Sequence, residues 1–319
     1  WLVSCIKQLS ASFAIDVCAY AVMSDHYHLV LFVDQEKAST WSDKEVIRRW
    51  TKMFPRNVAI LETLRQNSKS RAAQRQMKQQ VTLWRERLSD ISWFMRCLNE
   101  HVARRANKED DCRGRFWEGR FKSQALLDEK ALVTCMAYVD LNPIRAGVSD
   151  SLDKSDFTSI QERLINHAKK VKNRSYRQNR LLTRRSTKHL VGRQSTKKQS
   201  VLKQFTDMPG LNDEPISLCQ QSYFALLEST SKALKLLDSN SDKAINVLED
   251  RQLVLQRIGI SSDSWLKSVK YFHQHYAIAA GSETSLIEYH KSRIKAGVEF
   301  KYPNKWIRGL HSARLLYGT

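Results

Sequence analysis

No stretch of this 319-residue chain approaches the roughly twenty consecutive apolar residues that a membrane-spanning helix needs. No secretory signal is read ahead of the first apolar helix either, although the chain starts at Trp1 rather than at methionine. The six cysteines, Cys5, Cys18, Cys97, Cys112, Cys135 and Cys219, form no C-x-x-C pair and no regular framework. That usage suits a reducing cytoplasm and argues against a zinc ribbon. Acidic residues are also short: 33 Asp and Glu face 53 Lys and Arg, for a formal net charge of +20 and a pI near 9.8. Such an imbalance points to a polyanionic partner; nucleic acid is the usual one and an anionic membrane surface the competitor. The length allows two domains, each with a real core.

What is present begins with SDHYHLVLFV, residues 24–33. Its bulky and β-branched tail reads as a strand, and strand side chains alternate faces. His26 and His28 therefore point the same way as Val30 and Phe32, while Tyr27, Leu29, Leu31 and Val33 line the other face. Beyond the histidines both faces look covered. Two imidazoles at a strand's mouth can share one metal ion, although an isolated His pair is more often structural or solvated. The chain holds a control in YFHQHY, residues 271–276, where His273 and His275 repeat the spacing. There Trp265, Leu266, Val269 and Phe272 fall at helical intervals, and helix positions two apart diverge by about 200°. That second pair cannot chelate one ion and carries no function on this reading.

Around these motifs the periodicities give a coarse map. Leu2, Cys5, Ile6, Leu9 and Phe13 form one face of an opening helix; residues 15–23 read as a strand, linked by Ser24-Asp25 in a tight antiparallel hairpin to the histidine strand. A capping box over residues 42–45 starts a helix with Val46, Ile47 and Trp50, and residues 60–88 read as an exposed helix, so residues 41–90 look like a helical insertion. Ile91, Phe94, Met95, Leu98 and Val102 share a helical side. Residues 113–127 then mix aromatics with Arg113, Arg115, Arg120 and Lys122 and read as containing a strand or bent hairpin. Phe116 and Trp117 there either stack on bases or fill a core.

Asp128 and Glu129 open the next helix, with Leu132, Cys135, Met136 and Val139 on its apolar side. Tyr138 and Asn142 lie four apart and so stack one turn above the other, and Pro143 ends or kinks the helix with Gly147 as a stop just beyond. Asp140 lies on a different face, where it either backs the site or meets solvent. Residues 169–203 carry Lys and Arg but no acid and read as a flexible basic linker. Residues 222–237, 250–260 and 265–280 read as helices of a small module without a chemical motif.

Taken in order, AVMSDHYHLVLF, GRFWEGRFKS and AYVDLNPIRAG resemble the single-tyrosine HUH transposases, especially the REP-associated tyrosine transposase group of bacteria. The likeness covers roughly residues 1–150. It implies an α+β fold, an antiparallel sheet flanked by helices of the HUH/ferredoxin-like kind, with the histidine strand central. The domains would be 1–150 for the catalytic part, 151–205 for a basic linker and 206–319 for a helical accessory module. Members of the group cut single-stranded DNA, usually beside a hairpin, and join the ends again.

By resemblance, His26 and His28 match the metal-binding pair, Tyr138 the nucleophile and Asn142 the third, amide-bearing ligand. A divalent ion, Mg²⁺ or Mn²⁺, suits that mixed nitrogen and oxygen donor set, with zinc a competitor for the imidazoles. Arg113, Arg115, Arg120, Lys122 and Arg145 are the candidate contacts to the DNA backbone. Two features depart from the group: Asp25 stands where relatives commonly carry Asn, and the chain begins inside the helix that relatives precede with a strand. The implied partner is single-stranded or hairpin DNA in the bacterial cytoplasm, without a membrane; monomer and homodimer both fit. A catalytically inactive hairpin-binding relative is the alternative, because that role keeps the fold without the cutting. A relaxase or rolling-circle initiator shares the chemistry but fits the third motif less well.

Overall fold

The computed structural model describes residues 1–59, 61–62, 70–183, 202–208, 218–276 and 278–295. It is a mixed α+β structure, 67% helical, with a small antiparallel sheet of two strands. The chain divides into two compact units, one made of Trp1–Val17 and Leu31–Lys122, the other of Cys18–Val30 and the described residues from Ser123 onward.

In the first unit, helix α1 (Leu2–Ser12) buries Cys5, Ile6 and Leu9, the face its spacing predicts. Phe13 turns extended and leads into strand β1 (Ile15–Val22), which a hairpin joins to β2 (Tyr27–Val33); of this hairpin, Cys18–Val30 belong to the second unit. Asp34 caps α2 (Gln35–Thr40) by accepting from the Lys37 amide at 2.8 Å, and Ser42 caps α3 (Asp43–Met53) by accepting from the Glu45 amide at 3.3 Å, as the capping box predicts. Helices α4 (Arg71–Leu88) and α5 (Ile91–Glu109) complete this unit. Its core is aromatic: Trp50 stacks on Trp84 with ring centroids 5.7 Å apart, and Phe13 meets Phe94 edge-on at 5.5 Å.

The stretch 113–127 contains a strand, as expected, but a short one confined to Ala125–Leu126, with residues 113–124 irregular. Gly114 sits at φ +123°, and the Arg115 guanidinium folds back to donate to the Trp117 and Glu118 carbonyls at 2.7 and 2.5 Å. Those carbonyls are thereby satisfied within the loop, so no partner strand is needed. The histidine strand is not covered on both faces, since within β2 only Val30 is fully buried. Among the described residues β2 pairs with β1 alone, which makes it an edge and not the centre of a sheet.

In the second unit, strand β3 (Ala125–Leu126) pairs in parallel with β4 (Ala279–Ala280). Asp128 caps helix α6 (Glu129–Asp140) by accepting from the Ala131 amide at 2.8 Å. The helix breaks at Leu141 and resumes as the single turn α7 (Asn142–Arg145) with Pro143 at its start. Gly147 then takes the left-handed conformation, φ +69°, that stops it. Helix α8 (Ser159–Thr183) follows, so the stretch expected to be a flexible linker starts as helix; the rest of that stretch, up to residue 201, lies outside the described residues.

Helices α9 (Gln220–Leu237), α10 (Ser241–Asn246), α11 (Gln252–Ile258), α12 (Ser262–His275) and α13 (Glu283–Lys295) complete the unit. Helix α12 packs on α6 and α9, and its buried Trp265 donates an indole N–H to Thr230 Oγ1 at 2.9 Å. No helix among the described residues is long and apolar enough to cross a membrane.

Candidate functional site

Four side chains singled out by sequence converge inside the second unit. The Met23 amide donates to the His26 carbonyl at 2.9 Å, which closes the hairpin around Ser24-Asp25 and leaves His26 at its exit. His28 follows two residues on, pointing the same way, with ring centroids 5.0 Å apart. From α6, the Tyr138 ring stands edge-on to His28 at 5.5 Å. Asn142, one turn later, brings its Nδ2 to 3.4 Å from His26 Nε2.

The histidines differ electrostatically. His26 Nδ1 lies 2.7 Å from Asp25 Oδ1, so the carboxylate orients the ring with that nitrogen as the donor. The same contact holds the exposed Asp25 carboxyl below its ordinary pKa. His28 is driven the other way: burial, reinforced by the nearby positive charges of His26, Arg145 and His273, lowers its pKa from 6.5 to about 4. It is neutral near pH 7, as a ligand imidazole must be.

Arg145 sits in the middle of this group. Its guanidinium lies 3.9 Å over the Tyr138 ring and donates to Asn142 Oδ1 at 2.7 Å, the Tyr138 carbonyl at 3.3 Å and the Lys270 carbonyl at 3.2 Å. Burial lowers its pKa, while charge and hydrogen bonding with the Tyr138 phenol act in the opposite sense. Its Nε is buried with no hydrogen-bond partner among the described residues.

The donor set fits the expected divalent ion in part. His26 and His28 offer two convergent imidazoles, whereas the amide oxygen of Asn142 faces Arg145 and its NH₂ faces His26. Among the described residues no three His, Cys, Asp or Glu side chains gather in a metal-holding group.

Two residues enter the site unannounced by sequence. Phe272 lies 5.6 Å from Tyr138, and beside it His273, to which the spacing argument gives no function, lies 6.1 Å from the same ring. Both follow the break at Tyr271 in α12, the helix that packs on α6. Of the proposed DNA contacts only Arg145 belongs here; Arg113, Arg115, Arg120 and Lys122 lie in the exposed loop of the other unit, with Phe116 exposed and the Trp117 indole donating to the Asn99 carbonyl at 3.0 Å.

Asp140, two residues after the tyrosine, is fully buried. Its carboxyl accepts from the Ser159 hydroxyl, from the Ile160 amide at 3.0 Å and from the Tyr223 hydroxyl at 2.8 Å. Burial raises its pKa to about 6, and those hydrogen bonds, with Arg163, pull it partly back. Asp140 therefore pins the end of α6 to the first turn of α8 and to α9. No protein-family model, curated protein or solved structure matches the chain.

Proposed function

We propose that the chain is a single-tyrosine transposase or endonuclease of the HUH kind, cleaving and rejoining single-stranded DNA through a 5′-phosphotyrosine. The observation that carries this reading is the meeting of His26, His28, Tyr138 and Asn142, drawn from a hairpin and a helix more than a hundred residues apart. The formal charge of +20 supports a polyanionic substrate.

In this reading the Tyr138 phenol attacks phosphorus, the bond from phosphorus to O3′ breaks, and the leaving oxygen takes up a proton as a 3′-hydroxyl. Arg145, lying over that ring, favours the phenolate as it forms. When bound by His26 and His28, with Asn142 as third ligand, Mg²⁺ or Mn²⁺ would neutralise charge on a non-bridging phosphate oxygen. His28, kept neutral by burial, has its lone pair available for that task, and Asp25 orients the His26 ring beside it. Because one phosphodiester is exchanged for another, a second 3′-hydroxyl can displace Tyr138 and reseal the strand without ATP.

Incubation with labelled hairpin-flanked single-stranded DNA and Mn²⁺ tests the proposal. A covalent protein–DNA adduct is expected on a denaturing gel, and its loss in Tyr138→Phe. A second reading, a hairpin-binding protein that does not cut, is favoured by the Asn142 oxygen being held by Arg145. It predicts hairpin binding with no adduct at any metal concentration.

A further inference from the structure

We infer that Arg145 is a positioning residue with two alternative partners, and that its exchange from Asn142 to a DNA phosphate couples substrate binding to completion of the metal site. This rests on the function proposed above. The amide orientation at Asn142 follows from chemistry: a guanidinium carries only donors, so the group 2.7 Å from Arg145 must be the amide oxygen. The NH₂ is then left facing His26 Nε2 at 3.4 Å. While Arg145 holds this position, Asn142 presents a donor to the histidines where a cation needs an oxygen.

The hold is also incomplete. Arg145 Nε is buried without a partner among the described residues, so this arrangement leaves one of the guanidinium's donors unsatisfied there. One remaining contact, the Lys270 carbonyl at 3.2 Å, comes from the residue just before the break in α12 at Tyr271, whose φ and ψ are −115° and 24°. An incoming phosphodiester offers two non-bridging oxygens matched to the fork of a guanidinium, a stronger pairing than one neutral amide oxygen. Once Arg145 turns to that phosphate, the Asn142 amide is free to rotate its oxygen toward His26 and His28. Arg145 stays beside Tyr138 throughout, since its guanidinium already lies over that ring.

Coupling of this kind is reciprocal, so DNA must tighten metal binding by the factor that metal tightens DNA binding. Binding of Mn²⁺ to the full chain, followed by electron paramagnetic resonance, reads it directly. Wild type is expected to bind Mn²⁺ about tenfold more tightly with a saturating single-stranded oligonucleotide than without it. Arg145→Ala is expected to bind Mn²⁺ about as tightly alone as wild type does with the oligonucleotide, and to gain little on its addition. Arg145→Lys keeps the charge without the fork and is expected to fall between; it also serves if the alanine variant fails to fold.

Equal Mn²⁺ affinities for wild type and a folded Arg145 variant, both lost in His26→Ala/His28→Ala, would overturn the coupling while sparing the metal site. Mn²⁺ binding unaffected by the double histidine variant would instead sink the function proposed above, and the coupling with it.

Discussion

Asp140 and Asn142 stand two residues apart on either side of the helix break at Leu141, yet their surroundings obey opposite rules. Asp140 is sealed from water and meets three donors. Around Asn142 the histidine hairpin is half-exposed, Arg145 keeps an orphaned donor, and the amide points its less useful end at the imidazoles. A satisfied buried network fixes architecture, whereas an under-satisfied one beside solvent retains the freedom to rearrange when a ligand arrives. The comparison assigns stability to one cluster and function to the other, and it can be broken by substitution.

The largest effect is expected at Asp140. Asp140→Ala strands the Ser159 hydroxyl, the Ile160 amide and the Tyr223 hydroxyl together, and should cost about 3–5 kcal/mol in urea denaturation. A loss below 1 kcal/mol would erase the contrast. Next comes pH. The folded-state pKa of Asp140, about 6, lies above its ordinary 3.8, so its contribution is fully present below pH 4 and declines as pH rises through 6. Asp140→Asn should therefore gain on wild type by up to about 3 kcal/mol between pH 4 and 7. His28 runs oppositely: its pKa is depressed from 6.5 to about 4, so stability is lost as pH falls through that window. His28→Gln should flatten that loss by roughly 1–3 kcal/mol, discounted for its partial exposure. Parallel profiles for wild type and both variants would contradict the assignments.

A smaller change is expected from Tyr20→Phe, which deletes a hydroxyl donating to Glu162 Oε2 at 2.7 Å near the Asp140 cluster; about 1 kcal/mol should be lost. The smallest belongs to the other cluster. His26→Ala, at the rim of the hairpin, should shift stability by no more than about 0.5 kcal/mol while Mn²⁺ affinity falls at least about tenfold. A large stability loss there would mean that the histidines are structural after all.

Much of the arrangement is legible in sequence where a short-range rule governs it. The alternation in β2 aligns His26 with His28, the four-residue spacing stacks Tyr138 and Asn142, and the capping residues Ser42 and Asp128 mark two helix starts. What depends on tertiary placement is not legible. Nothing in the spacing of Asp140 announces that Ser159 and Tyr223 come to meet it, so its surroundings stay open until the helices pack. His273 is excluded from sharing an ion with His275 by helical geometry, but that argument is silent about Tyr138 on another helix. Arg145 is readable as a cation near the motif; that it grips the Asn142 amide depends on a turn broken at Leu141 and on a carbonyl from α12.

The parallel pairing of β3 with β4 also bears on how the protein is made. Ala125 and Ala279 are partners although 154 residues separate them (279 − 125), and the helix that brings Phe272 and His273 against the tyrosine ends just before β4. At ordinary elongation rates, a ribosome needs roughly 8–30 s to emit that interval. For that time a nascent polypeptide displays the hairpin and the tyrosine helix bare of α12, and a message cut short before codon 262 would release such a polypeptide for good.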